Sequence, residues 1–300
     1  MNEAKSAYPG VHFNLSQCKT SLGMKKRDMI TITMLKLSAV LFLWLHSCTN
    51  AFPISSGTQV SKHASKDSMR TVLFVSQPLP DDGQDIVFGR PLNDYTKESN
   101  KKLVYGVKAA IFDTFFAEQT MERAFARFWA LETIARMPYF SYLSALHMYE
   151  TLGWWRRSDY LKIHFLQTWN EQHHLLIMEE LKGNQRWLDR FLAQHLAVGY
   201  FFMALMFFLL NPTFAYNFNQ AVEEEAFETY NNFVAANEEF LKEQPAPNAA
   251  KKYYLEDHLF LEMGSRPRPQ IESLYDTFCA IRDDEAEHAH TMETMQREAL

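Results

Sequence analysis

The chain has 300 residues, 47% of them apolar and 14% aromatic, which is enough to bury a sizeable core in one large domain or two small ones. Its formal net charge of -6 argues against a nucleic-acid partner. The three cysteines, Cys18, Cys48 and Cys279, match neither a disulfide framework nor a zinc-binding spacing. Cys279 is predicted to be a small core residue.

The first hundred residues have the composition of targeting sequence. Basic residues from Lys25 to Arg27 precede an apolar segment from Leu35 to Leu45, which is too short to span a bilayer. This pattern predicts a signal-peptide-like segment over residues 1–51. The stretch 52–99 is rich in Ser, Thr and basic residues and then in Pro and Gly, and is predicted to be a transit-like segment followed by a linker that reaches Asn100. The two parts resemble the presequence of algae with complex plastids, and an ordinary secretory signal is the alternative.

Helical patterns fill the remainder of the chain, and residues 100–300 are predicted to form one domain. The predicted helices cover approximately 102–117, 121–149, 158–182, 187–209, 214–242 and 270–298. The connection over 243–269 is long and contains four prolines.

Two of these helices carry a Glu-x-x-His motif, Glu171 with His174 and Glu285 with His288. Residues three apart share a helix face, so each motif directs a carboxylate and an imidazole towards one point. Isolated motifs of this kind occur by chance, and the helical phase must therefore be considered.

A third motif, Glu287 with His290, overlaps the second. Glu285 follows the apolar stripe of its helix, whereas Glu287 and His290 fall on a charged face. The inward-facing pair is therefore the predicted one. Next to the first motif, His173 is predicted to lie off the ligand face, and His164 is predicted to make hydrogen bonds rather than bind metal.

Two single glutamates, Glu132 and Glu223, lie within apolar stripes of two other helices. A buried carboxylate is unfavourable unless it is paired or binds a metal. One Glu from each of two helices and a Glu-x-x-His from each of two others form the ligand set of a di-iron carboxylate four-helix bundle. Four carboxylates and two imidazoles suit iron or manganese. The predicted fold class is all-α, a ferritin-like four-helix bundle with a di-iron centre plus two additional helices.

The two additional helices are poor in charge and are predicted to form an interfacial membrane-binding surface. The apolar run from Ala197 to Leu210 is shorter than the roughly 20 residues that a spanning helix needs. The 102–117 helix is amphipathic, and Trp154 to Arg157 place aromatic rings beside cations. These features favour attachment to one leaflet. A homodimer interface made by the same helices is the alternative, and both can hold together.

Several longer stretches resemble the alternative oxidase family, and most closely its plastid terminal oxidase branch. They are ARFWALETIARMPYF (126–140), GWWRRSDYLK (153–162), TWNEQHHLLIMEEL (168–181), AFETY (226–230) and IRDDEAEH (281–288). The resemblance covers roughly residues 100–300.

This resemblance implies a non-haem di-iron quinol oxidase that is bound to one membrane leaflet and is commonly dimeric. It implies that two iron ions are held by Glu132, Glu171, His174, Glu223, Glu285 and His288. It also implies a redox-active tyrosine at Tyr230 and a quinol pocket lined by Arg127, Leu131, Glu225 and Thr229. Asn170 and Asp284 are predicted to orient the imidazoles from outside, as metal sites usually require.

The expected reaction transfers electrons from plastoquinol to O2 and gives plastoquinone and water. The expected location is the thylakoid membrane of a plastid. The alternatives are a ubiquinol oxidase of the mitochondrial inner membrane and a di-iron hydroxylase of quinone biosynthesis.

Overall fold

The computed structural model describes residues 89–117, 120–263 and 267–299, and within these ranges the chain is helical, with one isolated bridge between Pro245 and Ser273. The elements are α1 (Asp94–Phe115), α2 (Met121–Ala135), α3 (Met137–Leu152), α4 (Ser158–Glu180), α5 (Trp187–Leu210), α6 (Pro212–Ala236), α7 (Glu238–Glu243), α8 (Asn248–Lys251), a π-helical turn (Lys252–Glu256), α9 (His258–Met263) and α10 (Leu274–Glu298). The predicted all-α fold class is confirmed. The predicted targeting segment 1–51 and most of 52–99, with Cys18 and Cys48, lie outside the described residues.

Local sequence signals explain where three of the bundle helices begin. Helix α2 begins after Thr120, whose side-chain oxygen accepts the backbone N–H of Arg123 at 3.3 Å. Helix α10 begins with a capping box, in which Ser273 and Asp276 each accept the other's backbone N–H. Helix α6 begins with Pro212, at a position where no N–H is needed. These starts leave few unpaired N–H groups at helix ends that pack into the protein.

Four long helices, α2, α4, α6 and α10, surround the candidate site. Helix α6 packs most extensively along α10, and α2 packs against α4. The ring of Phe128 lies 4.4 Å from Tyr230, 4.9 Å from Phe233 and 5.3 Å from Phe278 between centroids. This buried aromatic cluster joins α2, α6 and α10 with a large apolar contact area.

Two predicted helices are interrupted. The stretch predicted as one helix over 121–149 divides at Arg136 into α2 and α3, because Pro138 has no N–H to continue the hydrogen-bond ladder. The stretch predicted over 214–242 divides at Asn237 into α6 and α7.

Two predicted non-helical segments contain helix. Helix α1 begins at Asp94 rather than at 102, because Asn93 caps it by accepting the N–H of Thr96 at 2.8 Å. The linker predicted through Asn100 is therefore wrong over its last residues. The long connection over 243–269 contains α8, the π-helical turn and α9.

Helix α5 is longer than the apolar run that the sequence analysis identified. It begins at Trp187, and its 24 residues are long and apolar enough, by length and composition alone, to cross a membrane. The apolar run from Ala197 to Leu210 is therefore the C-terminal part of a longer helix. Four side chains spaced four residues apart are more than half exposed along one face, which we call the α5 stripe: Val198, Phe202, Met206 and Leu210.

Candidate metal centre

All six candidate ligands lie in the interior of the bundle. Helix α2 provides Glu132, α4 provides Glu171 and His174, α6 provides Glu223, and α10 provides Glu285 and His288. Five of these residues have no exposed surface and His288 is 1% exposed. Such burial of four carboxylates is unfavourable unless other groups compensate for the lost water.

The six residues form two overlapping groups of four. Ligand atoms of Glu132, Glu171, His174 and Glu285 all lie within 4.8 Å of one another, and so do those of Glu171, Glu223, Glu285 and His288. Glu171 and Glu285 belong to both groups. Two adjacent metal positions that share two carboxylates would produce this pattern.

The polar atoms that face this centre lack hydrogen-bond partners. Eight such atoms are buried: Glu132 Oε2, both carboxylate oxygens of Glu171 and of Glu285, Glu223 Oε2, and Nδ1 of His174 and His288. Buried polar atoms in native proteins are paired in the great majority of cases. Carboxylate oxygens that make no hydrogen bond, with one imidazole nitrogen on each side, fit two metal ions of the iron or manganese type.

The two imidazoles lie on opposite sides of the shared glutamates. His174 Nδ1 lies 3.2 Å from Glu285 Oε1 and 3.6 Å from Glu132 Oε2. His288 Nδ1 lies 2.9 Å from Glu171 Oε1. The ring centroids are 6.4 Å apart, so each ring can serve a different metal position.

The crowded, dry environment shifts the proton affinities of the ligands. Burial, with repulsion from neighbouring carboxylates, raises the pKa of Glu132 to about 8 and raises that of Glu223 as well. Burial opposes charge on His174 and His288, but the surrounding carboxylates raise the pKa of both imidazoles. The same two imidazoles lower the pKa of Glu285, although burial acts against this shift. A metal must displace the retained protons, so its binding should release protons.

Asp284 orients His174 from outside the centre. Asp284 Oδ2 lies 3.1 Å from His174 Nε2, and Asn170 donates to the same oxygen at 2.9 Å. If His174 carries its proton on Nε2 and donates it to Asp284, Nδ1 is left with a lone pair that faces the centre. Asn170 and Asp284 are predicted to orient the imidazoles. Asp284 contacts His174, and Asn170 reaches it through Asp284.

Two buried tyrosines contact the outer carboxylates. The Tyr230 hydroxyl donates to Glu132 Oε1, so Tyr230 reaches the cluster through a residue of another helix. The Tyr139 hydroxyl donates to Glu223 Oε1 at 2.8 Å. Tyr139 is missing from the predicted site, although its spacing from Glu132 in the sequence would place it about two helical turns further on.

Two further tyrosines come from the connection between α7 and α10. The Tyr254 hydroxyl donates to Asp284 Oδ2 at 2.7 Å, and the Tyr253 hydroxyl accepts from Asn170 at 2.8 Å. Neither tyrosine is among the predicted site residues, because both lie outside the long periodic helices.

The four predicted quinol-pocket residues lie on α2 and α6. Arg127 pairs with Asp113 of α1 at 3.0 Å, and Glu225 pairs with Lys108 of α1. Thr229 is buried, whereas Leu131 and Asp113 retain exposed surface. Helix α1 thus connects with both helices that carry the predicted pocket. The quinol-binding role of these residues stays a prediction.

The other histidines near the motifs lie outside the cluster. His164 is buried, with Nδ1 3.0 Å from Gln167 Oε1 and Nε2 3.1 Å from the Tyr216 hydroxyl, which agrees with the predicted hydrogen-bonding role. His290 is exposed and Glu287 is half-buried, so the structure brings the predicted pair of α10 to the centre and not the overlapping one.

His173 and Cys279 also lie away from the centre. His173 Nδ1 lies 2.8 Å from the Trp169 carbonyl oxygen, and the His173 ring stacks on Tyr253 at 4.3 Å. Cys279 is half-buried on α10 and is less enclosed than predicted.

Comparisons with known proteins agree with this geometry. The alternative oxidase family matches residues 92–297. Ubiquinol oxidase 4, chloroplastic/chromoplastic, of Arabidopsis thaliana is 54% identical over 193 residues, which cover 62% of this chain and 54% of that protein. Alternative oxidase 3, mitochondrial, of Glycine max is 32% identical over 160 residues, covering 53% of this chain and 45% of the relative. A ubiquinol oxidase of Trachipleistophora hominis is 29% identical over 191 residues, which cover 62% of this chain and 53% of that protein.

This chain spans about half the length of the curated relatives it matches. The family match nevertheless includes all four ligand-bearing helices and both Glu-x-x-His motifs. The chain therefore belongs to the alternative oxidase family.

Proposed function

We propose that this protein is a plastid quinol oxidase with a non-haem di-iron centre, which oxidises plastoquinol and reduces O2 to water. The observation that carries the proposal is the pair of overlapping ligand groups that share Glu171 and Glu285. Each metal position would have a terminal carboxylate, Glu132 or Glu223, and one imidazole.

The overall reaction is balanced by two quinols for each dioxygen. Two plastoquinols release four electrons and four protons, and one O2 takes up these four electrons and four protons to give two waters. Two bound iron ions would supply the binding of dioxygen and the redox chemistry of its reduction. The protein supplies a closed cavity, fixed ligands and groups that hold protons.

The residues around the centre have separate roles in this proposal. The Tyr230 hydroxyl would pass a hydrogen atom between the quinol side and the centre, and its hydrogen bond to Glu132 Oε1 supports this role. Arg127 and Glu225 would contact the quinol oxygens, and Lys108 and Asp113 of α1 hold these two side chains in place. Burial raises the pKa of Tyr230, so its hydroxyl keeps its proton at physiological pH.

The choice of plastoquinol rests on similarity and on the predicted targeting segment. The plastid relative is 54% identical and the mitochondrial one is 32% identical. A location at the thylakoid membrane follows from the same argument, with ubiquinol and the mitochondrial inner membrane as the alternative outcome.

Attachment to one membrane leaflet is also part of the proposal. The α5 stripe presents four exposed apolar side chains on a single helix face. Contact of such a face with water is unfavourable, and a membrane leaflet would cover it. A homodimer interface made by the same helices would cover the same side chains, and both can hold together.

Oxygen uptake with a plastoquinol analogue in the presence of cyanide tests the activity. Wild-type protein should consume oxygen, Glu171→Ala should not, and Glu287→Gln, from the overlapping motif, should match the wild type. Undiminished uptake by Glu171→Ala would refute the proposal. A lower kcat/KM with plastoquinol than with ubiquinol would overturn the choice of quinol. Recovery of isotope from labelled dioxygen in the quinone ring, instead of in water, would identify a hydroxylase.

Vesicle flotation tests the membrane surface. Phe202→Glu, in the α5 stripe, should reduce recovery with vesicles, whereas Leu261→Glu, at an exposed apolar side chain of α9, should not. Equal losses in both variants would contradict attachment through α5. The mass of the detergent-extracted particle tests the homodimer.

A further inference from the structure

The connection between α7 and α10 contains a π-helical turn that directs two consecutive side chains into the protein. Tyr253 is 1% exposed and Tyr254 has no exposed surface. Consecutive residues of an α-helix point about 100° apart. A π-helical turn winds differently, and such turns occur frequently at functional sites.

Both hydroxyls enter the hydrogen-bond network that supports His174. Tyr254 donates to Asp284 Oδ2 at 2.7 Å, and its oxygen lies 3.3 Å from His174 Nε2. Tyr253 accepts from Asn170, which donates to the same Asp284 oxygen. This oxygen therefore faces Tyr254, Asn170 and His174 at hydrogen-bonding distance. Contacts from three sides hold the Asp284 carboxylate in one orientation.

The turn is itself fixed from outside. Arg268 donates to the carbonyl oxygens of Tyr254 and Asp257, both at 2.7 Å. The indole N–H of Trp169 donates to Asp257 Oδ2 at 3.0 Å. Trp169 precedes Asn170 on α4, so the connection is joined both to the ligand helix and to the network around His174.

The two imidazoles differ in the hydrogen bonds that they make on the side away from the centre. His174 has an outer network that involves an aspartate and two tyrosines. Among the described residues, Nε2 of His288 has no hydrogen-bond partner. Outer contacts commonly raise metal affinity by fixing the orientation and tautomer of the ligand.

We propose that Tyr254 is a positioning residue of the metal centre, acting through Asp284 on His174, so that the metal position next to His174 is held more tightly than the one next to His288. This inference rests on the proposed function only in requiring that the centre binds two iron ions.

The rate at which iron leaves the loaded protein tests this inference. Iron(II)-loaded protein is mixed with an excess of a chromogenic chelator, and the release of both ions is followed. In Tyr254→Phe, which keeps the ring and removes the hydroxyl, the ion that leaves more slowly from the wild type should leave about 10- to 100-fold faster. The other ion should leave at its wild-type rate.

Tyr142→Phe is the matched control. Tyr142 is also buried, and its hydroxyl donates at 2.9 Å to the Ala215 carbonyl oxygen. This variant should release both ions at wild-type rates. Asp284→Asn should accelerate the same single ion, and adding Tyr254→Phe to it should have little further effect, because both changes disturb one contact.

Several results would overturn the inference. These are wild-type release by Tyr254→Phe, equal acceleration of both ions, or the same acceleration in Tyr142→Phe. If Tyr254→Phe does not unfold cooperatively, Tyr253→Phe is used instead and should accelerate the same ion. A wild-type protein that takes up no iron would refute the proposed function, whereas one that holds iron but does not respond to Tyr254→Phe would refute only this inference.

Discussion

Removal of the metal should destabilise this protein, because polar atoms that would bind the metal are buried in its interior. Eight polar atoms that face the centre are buried without a hydrogen-bond partner. Leaving a buried polar group unsatisfied costs about 1–3 kcal/mol, so every one of these atoms that finds no compensating contact destabilises the metal-free protein. The total stability of a typical domain is only about 5–15 kcal/mol, so a few such atoms have a large effect.

Retained protons and contacts between the imidazoles and carboxylates offset part of this cost. The metal-free protein should therefore fold but with a low melting temperature. A ligand at about 100 times its Kd stabilises the native state by about 2.7 kcal/mol. In a domain of 150–250 residues, 1 kcal/mol shifts Tm by about 2–4 °C, which gives a rise of about 5–11 °C for each such metal ion.

Thermal unfolding before and after iron(II) or manganese(II) is added to the chelated protein measures this rise. Glu285→Gln should lose most of the metal-dependent increment, because a carboxylate common to both ligand groups becomes an amide. Glu287→Gln is the control and should keep the full increment. A Tm that does not respond to chelation, or a full response in Glu285→Gln, would show that the unpaired atoms do not form a metal site.

Three further predictions follow from the site. Tyr230→Phe should lower kcat by about 10²-fold or more with iron content unchanged, and loss of iron would instead indicate a structural role. Arg127→Gln should raise the KM for quinol with little change in kcat, and a selective fall in kcat would contradict a binding role. In the metal-free protein, Glu132 has a pKa of about 8 when folded and 4.5 when unfolded. Its folded form thus holds a proton that the unfolded chain has lost, and the free energy of unfolding should fall by up to about 1.4 kcal/mol per pH unit between these values. In Glu132→Gln, the free energy of unfolding measured with urea should fall less steeply with pH. An equally steep fall would mean that other groups cause the pH dependence.

The sequence alone predicts which residues face the centre, because helical periodicity is a local property. The apolar stripe of α10 separates Glu285 from Glu287 without any knowledge of the other helices. The same reasoning predicts Glu132 and Glu223 as buried carboxylates that need compensation. Helix bounds are less predictable, as shown by the breaks at Arg136 and Asn237.

The contacts around the ligands could not be predicted, because each depends on segments far apart in the chain. Tyr139 meets Glu223 across 84 residues, and Tyr230 meets Glu132 across 98. Tyr254 lies in a connection without helical periodicity, so no pattern indicates that its hydroxyl reaches Asp284.

The sequence by itself determined the all-helical class and the six inward-facing donors, since both follow from residue spacing along single helices. Only the tertiary structure decided that Glu171 and Glu285 are shared between the two groups, and that, among the described residues, a network from the connection supports His174. The physical reason is that both features depend on distances between helices. Side-chain packing sets these distances, whereas residue spacing along the chain does not.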